Sequence, residues 1–272
     1  MESNTSLESL PVALAIAGSD SGAAAGIQAD LLTFAANAVY GTTVLTCVTA
    51  QNPSGVAAIQ SLPPDAVTSQ IKQVDTFYKP LAVKTGMLFN EAIIGAVCHE
   101  LQNLSAKPRI VVDPVMVASS GATLLQPDAV SLIKRQLLPL ATLVTPNLDE
   151  AEILLERKLD SKEEIEEAAL QLSATYQTAF LIKGGHLTGD NLFDILALPE
   201  GVAKTYEQTR IQNIDTHGSG CTLSSAIAAG FAKGLDVEEA VGMALKYLRA
   251  SMRQPLAISG SKFINHFPTS DR

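Results

Sequence analysis

The sequence predicts an α/β fold, a mostly parallel central sheet with helices on both faces. Three observations lead there. Short apolar runs rich in β-formers alternate with helix-periodic stretches of about 10–15 residues, the pattern of βαβ units. Polar and glycine-rich segments follow the strand-like runs, where a parallel sheet gathers its ligand-binding loops. The chain has 272 residues, 47% of them hydrophobic, enough for one large core. No Pro/Gly/Ser-rich linker, charge block or fixed-period repeat divides it. The expectation is a single domain over residues 11–272, preceded by a loose leader, residues 1–10.

After Pro11, VALAIAG reads as a buried strand ending at Gly18, followed by the loop SDSGAAAG and the helix IQADLLTFAANA. TTVLTCVTA is a second strand, and GVAAIQSL a third, near an edge. Pro63 and Pro64 open a helix in which Val67, Ile71 and Val74 recur at helical spacing. LAVKTGM is strand-like, NEAIIGAVCHELQNL helical, and RIVVDPVM a strand ending in Asp-Pro. QPDAVSLIKRQLLPLA reads as one helix, TLVTPN as a strand and LDEAEILLE as a helix. SKEEIEEAALQLSATY is a helix with an acidic first turn, and AFLIKGG a strand. LFDILAL and KTYEQTRIQ form a hairpin, and GSGCTLSSAIAAGFAKG and VEEAVGMALKYLRASMR two helices in series. On this reading GSDSGAAAG, TAQN, KTGM, DPVM, TPNLDE, KGGH and DTHGSGC line one rim of the sheet.

Net charge is −9, from 19 basic and 28 acidic side chains. An acidic chain without a long basic run suits neither nucleic acid nor an anionic membrane surface. Any phosphate must therefore be held locally, by backbone amides and a few cations. No apolar run approaches the ~18 residues of a membrane span, and MESNTSLESLP lacks the apolar core of a secretion signal. Cys47, Cys98 and Cys221 are an odd set without CxxC spacing, which argues against disulfides and zinc, and the four histidines are scattered. A cytoplasmic protein acting on small molecules is the expectation.

The rim loops carry the chemistry. In DTHGSGC, Gly218, Ser219 and Gly220 lead into a helix whose free first-turn amides form an anion pocket suited to a phosphoryl group in flight. Cys221 falls in that turn, where the helix end is expected to lower its pKa and let it take a proton from a substrate hydroxyl. A glycine-rich cap with a buried thiol would look the same. The segment is neither the nucleotide P-loop nor the dinucleotide fingerprint. Asp30 reads equally as an acceptor for a polar ring substituent and as a solvated helix residue. Asn147 and Glu150 share a helix-start face that suits water-mediated Mg²⁺, yet Asn followed by Glu three residues later is also a capping box. Asp113 and Lys183 end strands, where a carboxylate near a cation and an ammonium near a phosphate are expected. Gln51 offers an amide to a heterocycle edge. His186 and His217 flank glycine turns.

Taken together, AIAGSDSGAAAGIQADL, VTAQN, KTGML, VVDPVM, TPNLDEAE, IKGGH and DTHGSGCTLSSAIAAG occur in the order found in the hydroxymethylpyrimidine/phosphomethylpyrimidine kinases of thiamine biosynthesis, and the chain resembles that family from about residue 12 to 250. The resemblance implies a ribokinase-like three-layer sandwich and ATP-dependent phosphorylation of 4-amino-5-hydroxymethyl-2-methylpyrimidine, then of its monophosphate. It implies Mg²⁺ with ATP, a monovalent cation as a further candidate, and a homodimer. Carried over, the pyrimidine would meet Gly18, Asp30, Gln51, Met87 and Val115. Gly218, Ser219, Gly220 and Cys221 would form the anion hole and base. Lys183, Asn147, Thr216 and Gly218 would serve ATP, and Asp113 and Glu150 the metal. Two departures stand out. Ala23 and Ala24 replace glycines of the family's first loop, and Lys262 and Phe263 replace a glycine and a proline near the end. Rival readings are a pyridoxal-type kinase, a sugar kinase, and a ligand-binding relative without activity.

Overall fold

The apolar run after Pro11 forms β1 (Val12–Asp20), and alternation along it decides the layers. Leu14 and Ile16 point into one core, Ala13 and Ala15 into another, and none of the four is exposed. A strand buried on both faces lies at the middle of a sheet. The computed structural model describes residues 9–116, 127–184 and 190–269. The first eight residues of the expected leader, and Gly185 and His186 of KGGH, lie outside the described residues.

From β1 the chain runs through α1 (Gly26–Ala36), β2 (Tyr40–Asn52), β3 (Gly55–Ser61), α2 (Pro64–Tyr78), β4 (Ala82–Thr85), α3 (Glu91–Asn103) and β5 (Arg109–Val112). It continues through α4 (Pro127–Leu132), β6 (Leu143–Val144), α5 (Leu148–Leu155), α6 (Lys162–Tyr176), β7 (Ala179–Ile182), β8 (Asn191–Ala197) and β9 (Ala203–Thr209). It closes with α7 (Ser219–Ala232), α8 (Val237–Arg253), β10 (Leu256–Ile258) and β11 (Ser261–Phe263). The main sheet is ordered β3-β2-β1-β4-β5-β6-β7-β8-β9. Strands β2 to β7 in that order are parallel, while β3, β8 and β9 join through antiparallel pairings.

Leu14 and Ile16 pack with Val67 and Ile71 of α2, Ile93 and Val97 of α3, and residues of α4 to α6. Ala13 and Ala15 pack with Phe34 of α1, Ile227 of α7 and Val241 of α8. The result is a three-layer sandwich whose parallel strands, with β9, end on one rim.

The stretch expected as one helix over residues 126–141 is broken. α4 widens into a π turn (Ile133–Leu137) and tightens into a 3₁₀ turn (Leu138–Leu140). Pro139 has no amide to donate and its ring crowds the carbonyl four residues back, so a regular helix cannot pass. The β10–β11 hairpin was not expected. Its turn residues, Ser259 and Gly260, both have positive φ (51° and 85°), which matches a two-residue hairpin turn.

Candidate active site

Two helix starts face each other at the rim. α1 begins at Gly26 and α7 at Ser219, so each directs first-turn amides toward the space between them. They approach closely because Gly218 has no side chain. A Cβ there would run into the Ala24 carbonyl oxygen, and φ is +82°, a region that favours glycine. Ser219 N–H is used by Thr216 O at 3.0 Å, so Gly220 and Cys221 carry the amides that the helical register leaves for an anion. Thr216 itself is exposed.

Cys221, in the first turn of α7, is half-buried. The expected lowering of its pKa does not occur. Burial pushes the thiol up to about 11, reinforced by Asp30 and Asp113, while Lys84 and the Gly26 amide pull the other way. The cost of desolvating the thiolate outweighs the helix end.

Around the sulfur, the strand ends contribute charge. Lys183 Nζ, after β7, lies 3.1 Å from Asp113 Oδ1, after β5, and would sit 3.4 Å from a Cβ on Gly220. Burial opposes the charge on Lys183, but Asp113 and Glu150 outweigh it and hold its pKa above the ordinary lysine value. Ser224 Oγ reaches Asp113 Oδ2 at 3.4 Å. Asp30 is not solvated. It is fully buried on α1, and its Oδ1 accepts from Lys84 Nζ at 2.8 Å and Ser225 Oγ at 2.7 Å.

Asn147 and Glu150 form the capping box of α5. Glu150 Oε2 accepts the Asn147 amide at 2.9 Å and Oε1 the Met116 amide at 3.1 Å. Burial raises its pKa, opposed by Lys183. Among the described residues no group of three His, Cys, Asp or Glu side chains could hold a metal ion. The carboxylates of Asp113 and Glu150 keep acceptor lone pairs beyond these bonds, so the donor set fits a metal held through water and substrate phosphates.

Gln51, next to last in β2, has its Nε2 2.9 Å from Nε2 of His217, the residue before Gly218. His217 is also 3.8 Å from Asp20 Oδ2. Asp20 organises the first loop: Oδ1 accepts the Gly22 amide at 2.8 Å, and Oδ2 those of Ala24 and Ala25 at 3.1 and 2.9 Å. This turn puts Ala23 at φ +59°, where the family's glycine is free of strain. Gly18 sits where the β1–β2 register shifts, against Cys47 and Met87: a Cβ on it would lie 2.7 Å from Cys47 Sγ and 3.0 Å from Met87 Cε. Val115 holds a φ of +35°, a strained position for a β-branched residue, at the end of DPVM.

The structure thus joins Cys221, Gly218, Ser219 and Gly220 with Lys183, Asp113 and Asp30, and places Gln51 beside His217. Gly18 and Met87 form a neighbouring contact, and Asn147 and Glu150 another, linked electrostatically through Lys183. Sequence reasoning missed Lys84, Asp20, Ser224 and Ser225. A lysine inside the apolar run LAVKTGM was the available signal for Lys84. Ser225, four residues after Cys221, shares its helix face.

The chain matches the phosphomethylpyrimidine kinase family model over residues 20–265. It is 46% identical over 251 residues to a hydroxymethylpyrimidine/phosphomethylpyrimidine kinase of Rhizobium meliloti, covering 89% of this chain and 90% of that protein. Among solved structures it resembles the Bacillus subtilis pyridoxal kinase in its ADP complex, with a TM-score of 0.87 and 34% identity over 96% of this chain and 98% of that one. It also resembles the phosphomethylpyrimidine kinase of Clostridium difficile, with a TM-score of 0.78 and 38% identity over 88% of this chain and 97% of that one. Sheet, rim and sequence agree: this is a ribokinase-like phosphotransferase, and the chain belongs to the phosphomethylpyrimidine kinase family.

Proposed function

We propose that the chain, as one kinase domain over residues 11–272, uses ATP to phosphorylate 4-amino-5-hydroxymethyl-2-methylpyrimidine and then its monophosphate, in thiamine biosynthesis. The observation that carries this reading is the position of Cys221. It stands in the first turn of α7, next to Gly220, which faces the Lys183–Asp113 pair, and four residues after His217, which meets Gln51.

In this reading the pyrimidine lies over Gly18, Met87 and Val115, with its polar edge toward Gln51 and its CH₂OH toward Cys221. Asp30, buried under Lys84, orients the site from below. The γ-phosphoryl group sits over the amides of Gly220 and Cys221, between Gly218 and Ser219. Its bond to ADP breaks as the bond to the substrate oxygen forms, and the hydroxyl proton passes to Cys221 in its thiolate form, which becomes the thiol. Lys183 neutralises charge on the moving group, and Thr216 and Asn147 flank the nucleotide. Donors aimed at developing charge are worth about 3–4 kcal/mol each. Mg²⁺, held by the nucleotide phosphates and by waters on Asp113 and Glu150, would supply further neutralisation. A monovalent cation, a homodimer and a cytoplasmic location complete the reading. For the location, the three cysteines are free, as in a reducing compartment.

A second reading, pyridoxal phosphorylation, is favoured by the 0.87 TM-score to the Bacillus subtilis pyridoxal kinase. Mass spectrometry of products decides. With ATP and Mg²⁺, the pyrimidine alcohol should gain one and then two phosphates at far higher kcat/KM than pyridoxal gains one. Preferred phosphorylation of pyridoxal reverses the assignment. Phosphorylation of neither leaves the inactive, ligand-binding reading.

A further inference from the structure

A buried cation acts electrostatically on the sulfur that the proposed reaction uses. Lys84, on β4, is 0% exposed. Its Nζ is 2.8 Å from Asp30 Oδ1 and would sit 3.0 Å from a Cβ on Gly86, so the head group fills the space under the glycine of KTGM. The same Asp30 oxygen accepts from Ser225 Oγ at 2.7 Å. Ser225 lies one turn beyond Cys221 on the same face of α7. Asp30 therefore pins that face of α7 to α1 and, through Lys84, to β4. The Gly26 amide at the start of α1 favours the anionic form of the Cys221 sulfur. Three elements, α1, α7 and β4, are tied together through Asp30, one helical turn from Cys221.

This network is unfinished. An ammonium has three donors and a carboxylate two oxygens. Among the described residues, Asp30 Oδ1 is the acceptor in hydrogen-bond reach of Nζ, and the equally buried Asp30 Oδ2 has no partner. A buried ion pair is often no more stabilising than an apolar pair of the same volume, so its presence calls for another reason. The charges that reach Cys221 are Lys84 from β4, Asp30 from α1, Asp113 after β5 and Lys183 after β7. The two acids disfavour an anionic sulfur. Lys183 is turned to Asp113 at 3.1 Å, which leaves Lys84 as the cation on the inner side.

We propose that Lys84 is a positioning residue for phosphoryl transfer: it holds Asp30, and with it α7, in place, and its charge stabilises the Cys221 sulfur when that sulfur is anionic. The proposal rests on the reading of Cys221 as the proton acceptor.

The test is alkylation of Cys221 by iodoacetamide between pH 7 and 10, followed by peptide mass spectrometry, alongside pH profiles of kcat. Cys47 and Cys98, both buried, report any loosening of the fold. In Lys84→Met, alkylation of Cys221 should slow about tenfold, and the alkaline rise of kcat should move up by about one pH unit. Lys84→Arg should recover most of both. A folded Lys84→Met with the parent's alkylation profile overturns the proposal. If Lys84→Met does not fold, Lys84→Met/Asp30→Asn is compared with Asp30→Asn alone. Slower alkylation in the double variant supports the proposal, and equal rates overturn it. Failure of the parent to phosphorylate the pyrimidine sinks the functional reading instead, and the alkylation result stands independently of it.

Discussion

Gln51 and His217, 166 positions apart, meet with their Nε2 atoms 2.9 Å from each other, so the loop before α7 closes on the end of β2. The imidazole holds the Gln51 amide in a fixed orientation, and a fixed amide selects among ring edges. Gln51→Ala should raise KM for the pyrimidine alcohol about tenfold or more and leave kcat within a few-fold, the pattern of lost ground-state binding. Steady-state kinetics measure this, and an unchanged KM removes Gln51 from the binding site.

Cys221→Ala should cut kcat at least a hundredfold while ATP affinity, read by calorimetry, stays near the parent's. In the parent, a thiol near pKa 11 is ionised in about one molecule in 10⁴ at pH 7. A reaction that needs the thiolate should therefore accelerate about tenfold per pH unit until another group or the fold intervenes. The same shift has a stability sign. A folded pKa above the unfolded one stabilises the fold below about pH 9, and that contribution is lost as pH rises toward 11. A kcat flat from pH 7 to 9 argues against general-base catalysis by this sulfur.

Ala23 is strained at φ +59° in the turn around Asp20. Ala23→Gly should relieve it, and the gain exceeds the added chain entropy by about 0.5–1 kcal/mol. The urea midpoint should rise at an unchanged slope. A lower midpoint shows that the turn tolerates the methyl.

Asp194, on β8, accepts the Gly184 amide at 3.1 Å and the Gln208 side-chain amide at 3.2 Å, and burial pushes its pKa up to about 6. Its contribution to stability is complete below about pH 4, the unfolded value, and is lost as pH rises through 6. Chemical denaturation of Asp194→Asn should therefore show a smaller fall in midpoint between pH 4 and 7 than the parent shows. Identical pH dependence in the two proteins contradicts the assignment.

Local pattern along the chain was enough to read the layers and the rim. Periodicity is a local property, so VALAIAG had to be a buried strand and PPDAVTSQIKQVDTFY a helix wherever they packed. The glycines before α7 likewise marked the start of that helix, where Gly218 takes a φ of +82°. Tertiary structure alone decided how the site is charged. Whether Asp30 met solvent or a partner depended on Lys84, 54 positions away, and Ser225, 195 away. The pKa of Cys221 went opposite to the local expectation because burial among α1, α7 and β4 costs a thiolate more than one helix end returns. Desolvation and Coulomb energy are sums over everything nearby in space, and no stretch of the chain contains its own neighbours.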